Sequence, residues 1–169
     1  METRPKIKLT LSPLDTKLEL TGKLFLVVMW GLTLYTFLKM PPTIPIHFNV
    51  SGKADGYGNK MTVLILPILA TIIYVGFTAL NKHPYLFNYM TTITDQNAEK
   101  QYTIATRMLR KVKLAILVIF SLIILFIYFT TTGVTDGLGS WFLPFTLGLI
   151  MTPTVIAISQ SLNKKNKGV

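Results

Sequence analysis

At 169 residues, with half of its side chains hydrophobic and only 14% charged, this chain is too apolar for an ordinary soluble domain, in which about a quarter of residues are charged. The absence of cysteine excludes a disulfide framework and a thiolate metal site. The net charge of +10 does not indicate nucleic acid, because the basic residues flank apolar runs and form no basic face with interleaved aromatics.

The length suits one domain. Residues 1–21 read as a tail and helix lead-in, and residues 22–169 as a four-span membrane domain. Within the tail, Ser12-Pro13-Leu14-Asp15 is a helix start: a hydroxyl at the N-cap, proline at the first helical position and an acid three residues after the cap. One helix is therefore expected over residues 13–40, with its first turns near the membrane surface. Four apolar runs, at about residues 22–40, 61–80, 112–131 and 138–162, approach or reach the roughly 20 residues a spanning helix needs. The first is the shortest, and its terminal lysines can snorkel. It starts too late for a signal peptide and lacks a small-residue cleavage site.

Basic residues orient the spans. With the N-terminus inside, fourteen of the seventeen Lys and Arg fall on the cytoplasmic side, and only Lys39, Lys53 and Lys60 fall outside. Both termini are therefore expected in the cytoplasm, and the net charge encodes topology and contact with anionic lipid.

The connection at residues 40–60 contains three prolines among Pro41, Pro42 and Pro45, three glycines in Gly52, Gly56 and Gly58, and one of the two histidines, His47. Pro42 and Pro45 hold the backbone extended. Ile44, Ile46 and Phe48 alternate with Pro45, His47 and Asn49 in a strand-like period. Ser51-Gly52 and Asp55-Gly56 are turn pairs, and the three glycines can take positive φ. A small hairpin-like cap on the outer helix ends is expected. Ile44, Ile46 and Phe48 would pack downward, and His47, Asn49 and Asp55 would be free for one another or for a ligand.

The 81–111 segment breaks at Asn81-Lys82-His83-Pro84, runs extended from Tyr85 to Thr94, and starts a new helix near Asp95 and Glu99. Tyr102, Ala105, Met108, Leu109 and Val112 recur at helical spacing, so the third span should continue this helix; residues 95–131 would extend about 55 Å. Arg107, Arg110, Lys111 and Lys113 form a basic cluster that serves as a positive-inside anchor or receives a partner or acidic lipid. The 132–138 turn is short, making spans three and four antiparallel neighbours. Pro67, Pro144 and Pro153 fall inside runs and are expected to bend helices, whose freed carbonyls neighbouring helices can satisfy.

The pattern Pro42, Ile44, Pro45, His47, Phe48, Asn49, Gly52, Asp55, Gly56, Tyr57, Gly58 and Lys60 closely resembles the signature of a bacterial membrane family, domain of unknown function 1648. The same domain forms the N-terminal part of SdpI-type bacteriocin-immunity and signalling proteins. Asn88-Tyr89, Thr94 and Asn97-Ala98-Glu99 resemble that family's cytoplasmic loop, so the likeness extends over roughly residues 22–130. It implies a multi-span protein of the bacterial plasma membrane and little chemistry. The immunity proteins carry a further C-terminal membrane domain that these four spans leave no room for.

A hydrolytic metal site takes about three protein ligands. The other histidine, His83, is expected on the opposite side of the membrane, leaving His47, Asp55 and Asp136 as the only speculative set. The alternative is a His47 that hydrogen-bonds Asp55 or a backbone carbonyl to hold the cap. Asp55-Gly56-Tyr57-Gly58 and Asp136-Gly137-Leu138-Gly139 share a pattern, as paired turns or as two carboxylates meeting at a secondary outer site. Span interiors carry no Asp, Glu, His or Arg, which argues against an ion or proton relay. No nucleophile motif or phosphate loop is present.

The expected fold is an all-α integral membrane protein of four transmembrane helices with a small structured outer loop. The leading function is a non-enzymatic accessory, sensor or immunity-like role, with no cofactor. The 41–60 loop would recognise a peptide or membrane-protein partner through His47, Asn49, Asp55 and Lys60, shaped by Pro45, Gly52, Gly56 and Gly58. The alternatives are a membrane-bound metal-dependent enzyme and a subunit of a transporter or envelope complex.

Overall fold

A computed structural model describes residues 4–163. Lys164, Lys165 and Lys167, part of the expected cytoplasmic charge, lie outside the described residues. The chain folds as helix α1 (Pro13–Lys39), strands β1 (Thr43–Phe48) and β2 (Ala54–Asn59), a 3-10 turn over Lys60–Leu64, helix α2 (Ile65–Leu80), a second 3-10 turn over Pro84–Leu86, and helices α3 (Ala98–Thr131) and α4 (Phe142–Leu162). Four of these segments are helices long and apolar enough to cross a membrane. Their outer surfaces carry exposed Leu24, Val27, Leu38, Ile72, Val75, Leu147 and Val155, as lipid-facing helices do and soluble ones do not.

Helix α1 begins where the Ser12 pattern puts it. The Ser12 side chain accepts from the Asp15 amide at 3.2 Å and the Asp15 carboxylate accepts from the Ser12 amide at 3.2 Å, a complete capping box. At 27 residues the helix is about 40 Å long, longer than the roughly 30 Å hydrocarbon layer. Helix α3, 34 residues long, is the central post: α1, α2 and α4 all pack on it. Met29, Ile44, Val63, Leu117 and Ile124 form the main core, and Ile119, Leu138 and Phe142 join α3 to α4.

The helices alternate in direction, which gives the bundle two distinct ends. At one end Arg107 meets Asp15, Lys113 meets Thr78 and Gln101 meets Ser161. This is the basic end. Here residues 4–12 strap across the connection before α3: Arg4 donates to the Tyr85 carbonyl at 3.1 Å, Tyr102 donates to the Pro5 carbonyl at 3.0 Å, and Leu9 packs on Ile93, Ala98 and Tyr102. The opposite end is closed by the β1–β2 hairpin.

Three expectations need correcting. Pro67 and Pro144 lie in the first turns of α2 and α4, where the missing N–H has no intrahelical partner to lose; only Pro153 is inside a helix. Ile46 does not pack downward with Ile44 and Phe48. It is 48% exposed, while Pro45 is buried beside Ile44; the pairing register shifts between Pro45 and His47 and again before Phe48, which breaks the alternation of faces around Ile46 that a regular strand keeps. Gly56 and Gly58 have no positive φ; in the loop only Gly52 does, at 77°.

Candidate functional site

The hairpin pairs Thr43 with Asn59, Ile44 with Gly58 and Phe48 with Ala54 in antiparallel register. Ile44 is fully buried and β1 packs on α3, which fixes the hairpin to the bundle. Gly56 and Gly58 are small for packing reasons. A Cβ at Gly56 would lie 2.9 Å from His47 Cβ, and one at Gly58 would lie 2.6 Å from Ile46 Cδ1. The absent side chains let His47 and Ile46 lie across the second strand.

Most of the residues singled out from the sequence build this cap. Asn49 Oδ1 accepts from the Ser51 amide at 3.0 Å, the Ser51 hydroxyl at 2.7 Å and the Lys53 amide at 3.1 Å, so the side chain organises the turn. The Gly52 carbonyl accepts from Leu138 N–H at 2.7 Å, and Ala54 N–H donates to the Asp136 carbonyl at 3.2 Å. The second Asp-Gly-x-Gly segment, residues 136–139, therefore meets the hairpin through backbone at Gly52, Lys53 and Ala54, not at the first such segment, residues 55–58. Lys60 turns inward. Its Nζ donates to the carbonyls of Phe37 at 3.3 Å and Met40 at 3.4 Å and sits 4.6 Å from the Phe37 ring centroid. It caps the C-terminus of α1, where a cation suits the helix dipole.

His47 and Asp55 are different. Nδ1 of His47 is 2.5 Å from Asp55 Oδ1, and their side chains are 70% and 42% exposed. Tyr57, on the same outward face of β2, is 61% exposed, and Val50 at the turn is 89% exposed. Asp136 is exposed and its carboxylate makes no contact with this pair. Among the described residues no three His, Cys, Asp or Glu side chains converge as a metal requires, so the His47–Asp55–Asp136 set is not assembled. The exposed face of the hairpin offers a hydrogen-bonding pair, an aromatic ring and apolar side chains.

The basic cluster of α3 is not one surface. Lys111 faces a groove between α3 and α4, lined by Val118, Phe145 and Leu149. Arg107, Arg110 and Lys113 face α1 and are paired there. Arg107 bonds Asp15 through Nε at 2.9 Å, Arg110 Nε bonds Glu19 at 3.0 Å, and Lys113 Nζ bonds Glu19 Oε2 at 2.8 Å. Lys113 also donates to Thr78 Oγ1 at 2.8 Å and lies 4.2 Å from the Tyr74 ring centroid. Burial pushes the Asp15 carboxyl up, but the Arg107 and Ser12 hydrogen bonds outweigh it and hold the pKa at about 2. The Asp15 hydrogen bond correspondingly raises that of Arg107.

Glu19 had no place in the sequence reading. Its signal was available: Asp15 and Glu19 are four apart on one helix, and Arg107, Arg110 and Lys113 are three apart on another, so each set shares a face. That the two faces meet is a long-range fact that spacing along one helix does not carry.

Residues 24–71 match the family described as Domain of unknown function (DUF1648). The match takes in most of α1, the hairpin and the start of α2, a narrower stretch than residues 22–130. An uncharacterized protein of Archaeoglobus fulgidus (strain ATCC 49558 / DSM 4304 / JCM 9628 / NBRC 100126 / VC-16) is 31% identical over 71 residues, which cover 37% of this chain and 39% of that protein. The chain thus spans well under half the length of this relative. No solved structure matches.

Proposed function

We propose that this is a non-enzymatic multi-pass protein of the bacterial plasma membrane, of accessory, sensor or immunity-like type, whose hairpin recognises a peptide or membrane-protein partner outside the cell. The observation that carries the reading is the division of labour in the hairpin. Asn49, Gly52, Gly56, Gly58 and Lys60 are occupied in holding it, while His47, Asp55 and Tyr57 stand at its exposed face. A presented polar pair beside an aromatic ring is how a recognition surface is built. The orientation draws support from charge. Arg4, Lys6, Lys8, Lys17, Lys23, Lys82 and Lys100 gather at the basic end with the α3 cluster, against Lys39, Lys53 and Lys60 at the hairpin end, as the positive-inside rule asks.

The lack of cysteine makes the test clean. Val50→Cys should react with a membrane-impermeant maleimide on intact cells, and Lys82→Cys only after permeabilisation; the reverse pattern overturns the orientation. A photo-crosslinking residue at Tyr57 should give a discrete adduct in living cells. His47→Ala and Asp55→Ala should abolish it with protein level and melting temperature unchanged. An adduct indifferent to both substitutions overturns the recognition reading.

A further inference from the structure

The basic end contains a cavity of about 840 Å³ between the N-terminal strap, the first turns of α1 and the end of α2. Its lining is bipartite. Leu11 and Leu20 supply an apolar wall, while Lys8, Lys23, Lys82 and Arg110 supply positive charge. The one acid in the lining, Glu19, is already bonded to Arg110 and Lys113. Among the described residues, the ammonium groups of Lys8, Lys23 and Lys82 have neither an acidic partner nor a hydrogen bond. Asn81 also lines the cavity, and both polar atoms of its side chain are shielded from solvent without any hydrogen-bond partner. A buried amide left unsatisfied is destabilising, and its persistence marks a place where a ligand's polar atoms can complete the bonding.

The level of the cavity limits the ligand. Lys23 stands at the start of the apolar run of α1 and Asn81 is the residue that ends α2, so the cavity lies in the layer where the bilayer's phosphates sit. We infer that this cavity binds the phosphate-bearing headgroup of an acidic phospholipid, with Lys23 and Lys82 holding the anionic oxygens, Asn81 bonding the headgroup from the floor, and Leu11 and Leu20 flanking the glycerol and upper acyl carbons. Lysine binds phosphate as a mobile point charge, and basic pockets between membrane helices are suited to lipid headgroups. The inference stands on the basic end alone and does not depend on what the hairpin recognises.

The test uses the full chain in zwitterionic detergent, titrated with dioleoyl phosphatidylglycerol or dioleoyl phosphatidylcholine and read by native mass spectrometry. One phosphatidylglycerol should be retained in preference to phosphatidylcholine. Lys23→Gln with Lys82→Gln should weaken that retention about thirtyfold, the effect of removing two interfacial lysines, whereas Lys39→Gln with Lys53→Gln at the other end should not change it. Asn81→Leu should also weaken retention while leaving the lipid-free melting temperature unchanged or higher, a pairing of effects that a merely structural asparagine would not give. Equal retention of both lipids, or retention unchanged in the double lysine variant, overturns the site. Displacement of the lipid by inorganic phosphate at millimolar concentration shows a free-phosphate site and overturns the lipid assignment. Asn81→Leu that melts lower yet keeps the lipid removes Asn81 from it.

Discussion

Lys113 of α3, 1% exposed, places its ammonium 2.8 Å from the carboxylate of Glu19 on α1, 94 positions earlier in the chain. Arg110 holds the other oxygen of the same carboxylate at 3.0 Å and has Asp15 as a longer second partner at 3.9 Å, so one carboxylate bridges two buried cations. Removing one partner of such a group leaves charge uncompensated in a low-dielectric setting and costs about 3–5 kcal/mol. Glu19→Gln should therefore destabilise by that amount, read as a lowered melting temperature in detergent. Adding Lys113→Met to Glu19→Gln should recover part of the loss, because the second change removes one of the stranded charges. A purely additive double variant would show that the two residues do not interact.

Lys111 provides the contrast. It lies two positions before Lys113 but faces the groove between α3 and α4, with no acidic partner among the described residues. Lys111→Ala should change stability by no more than about 0.5 kcal/mol, as ordinary surface substitutions do, while Lys113→Ala should rank with Glu19→Gln. Equal losses at the two positions would mean that the cluster acts as one anchoring surface.

The Asp15 carboxylate links stability to pH. Its folded pKa, about 2, lies below the ordinary 3.8 because Arg107 and Ser12 bond the charged form more strongly than burial penalises it. A depressed carboxyl pKa stabilises the fold fully above the unfolded value, and that contribution is lost as pH falls from about 4 towards 2. The shift is worth on the order of 2 kcal/mol. Wild-type melting should therefore fall through that window, and Asp15→Asn should be less stable at neutral pH with a shallower acid slope. An unchanged slope in the variant would remove Asp15 as its source.

These charges also show where sequence reading ends. The α1 start was legible in Ser12-Pro13-Leu14-Asp15 because a capping box is closed within four residues. The four apolar helices were legible because run length alone decides whether a segment can cross a bilayer. The strand character of residues 43–48 was visible in their alternation, but the register shifts that expose Ile46 were not, since they depend on what β2 presents opposite. Lys60 looked like a surface contact because nothing near it in sequence discloses that its ammonium reaches the carbonyls of Phe37 and Met40. Asp15 supplied the cap and escaped notice as the partner of Arg107, 92 residues away.

Glycine provides a local comparison. Gly52 has φ 77°, and a Cβ there would run into the backbone of Gly139. Ala at positive φ costs roughly 1–2 kcal/mol from backbone strain alone, and here the Gly52–Leu138 hydrogen bond would open as well. Gly52→Ala should loosen the hairpin from the α3–α4 turn, seen as faster amide exchange at Leu138 and a lower melting temperature. Gly31, within α1, has nothing within 4 Å of its ideal Cβ, so Gly31→Ala should be neutral or stabilising by about 0.5–1 kcal/mol.

Lys60 tests whether the hairpin is locked to α1 by charge or by packing. Its ammonium serves the last carbonyls of the helix and the face of Phe37 at once. A partly buried cation at a helix C-terminus contributes up to about 2 kcal/mol, and a cation over an aromatic ring adds about 0.5–1 kcal/mol. Lys60→Met keeps the length and apolar stem but loses both, and should lower stability by about 1–2 kcal/mol. Lys60→Arg keeps the charge and the stacking and should restore most of it. If Lys60→Met melts with the wild type, the stem alone holds the junction and the helix end is satisfied without the charge.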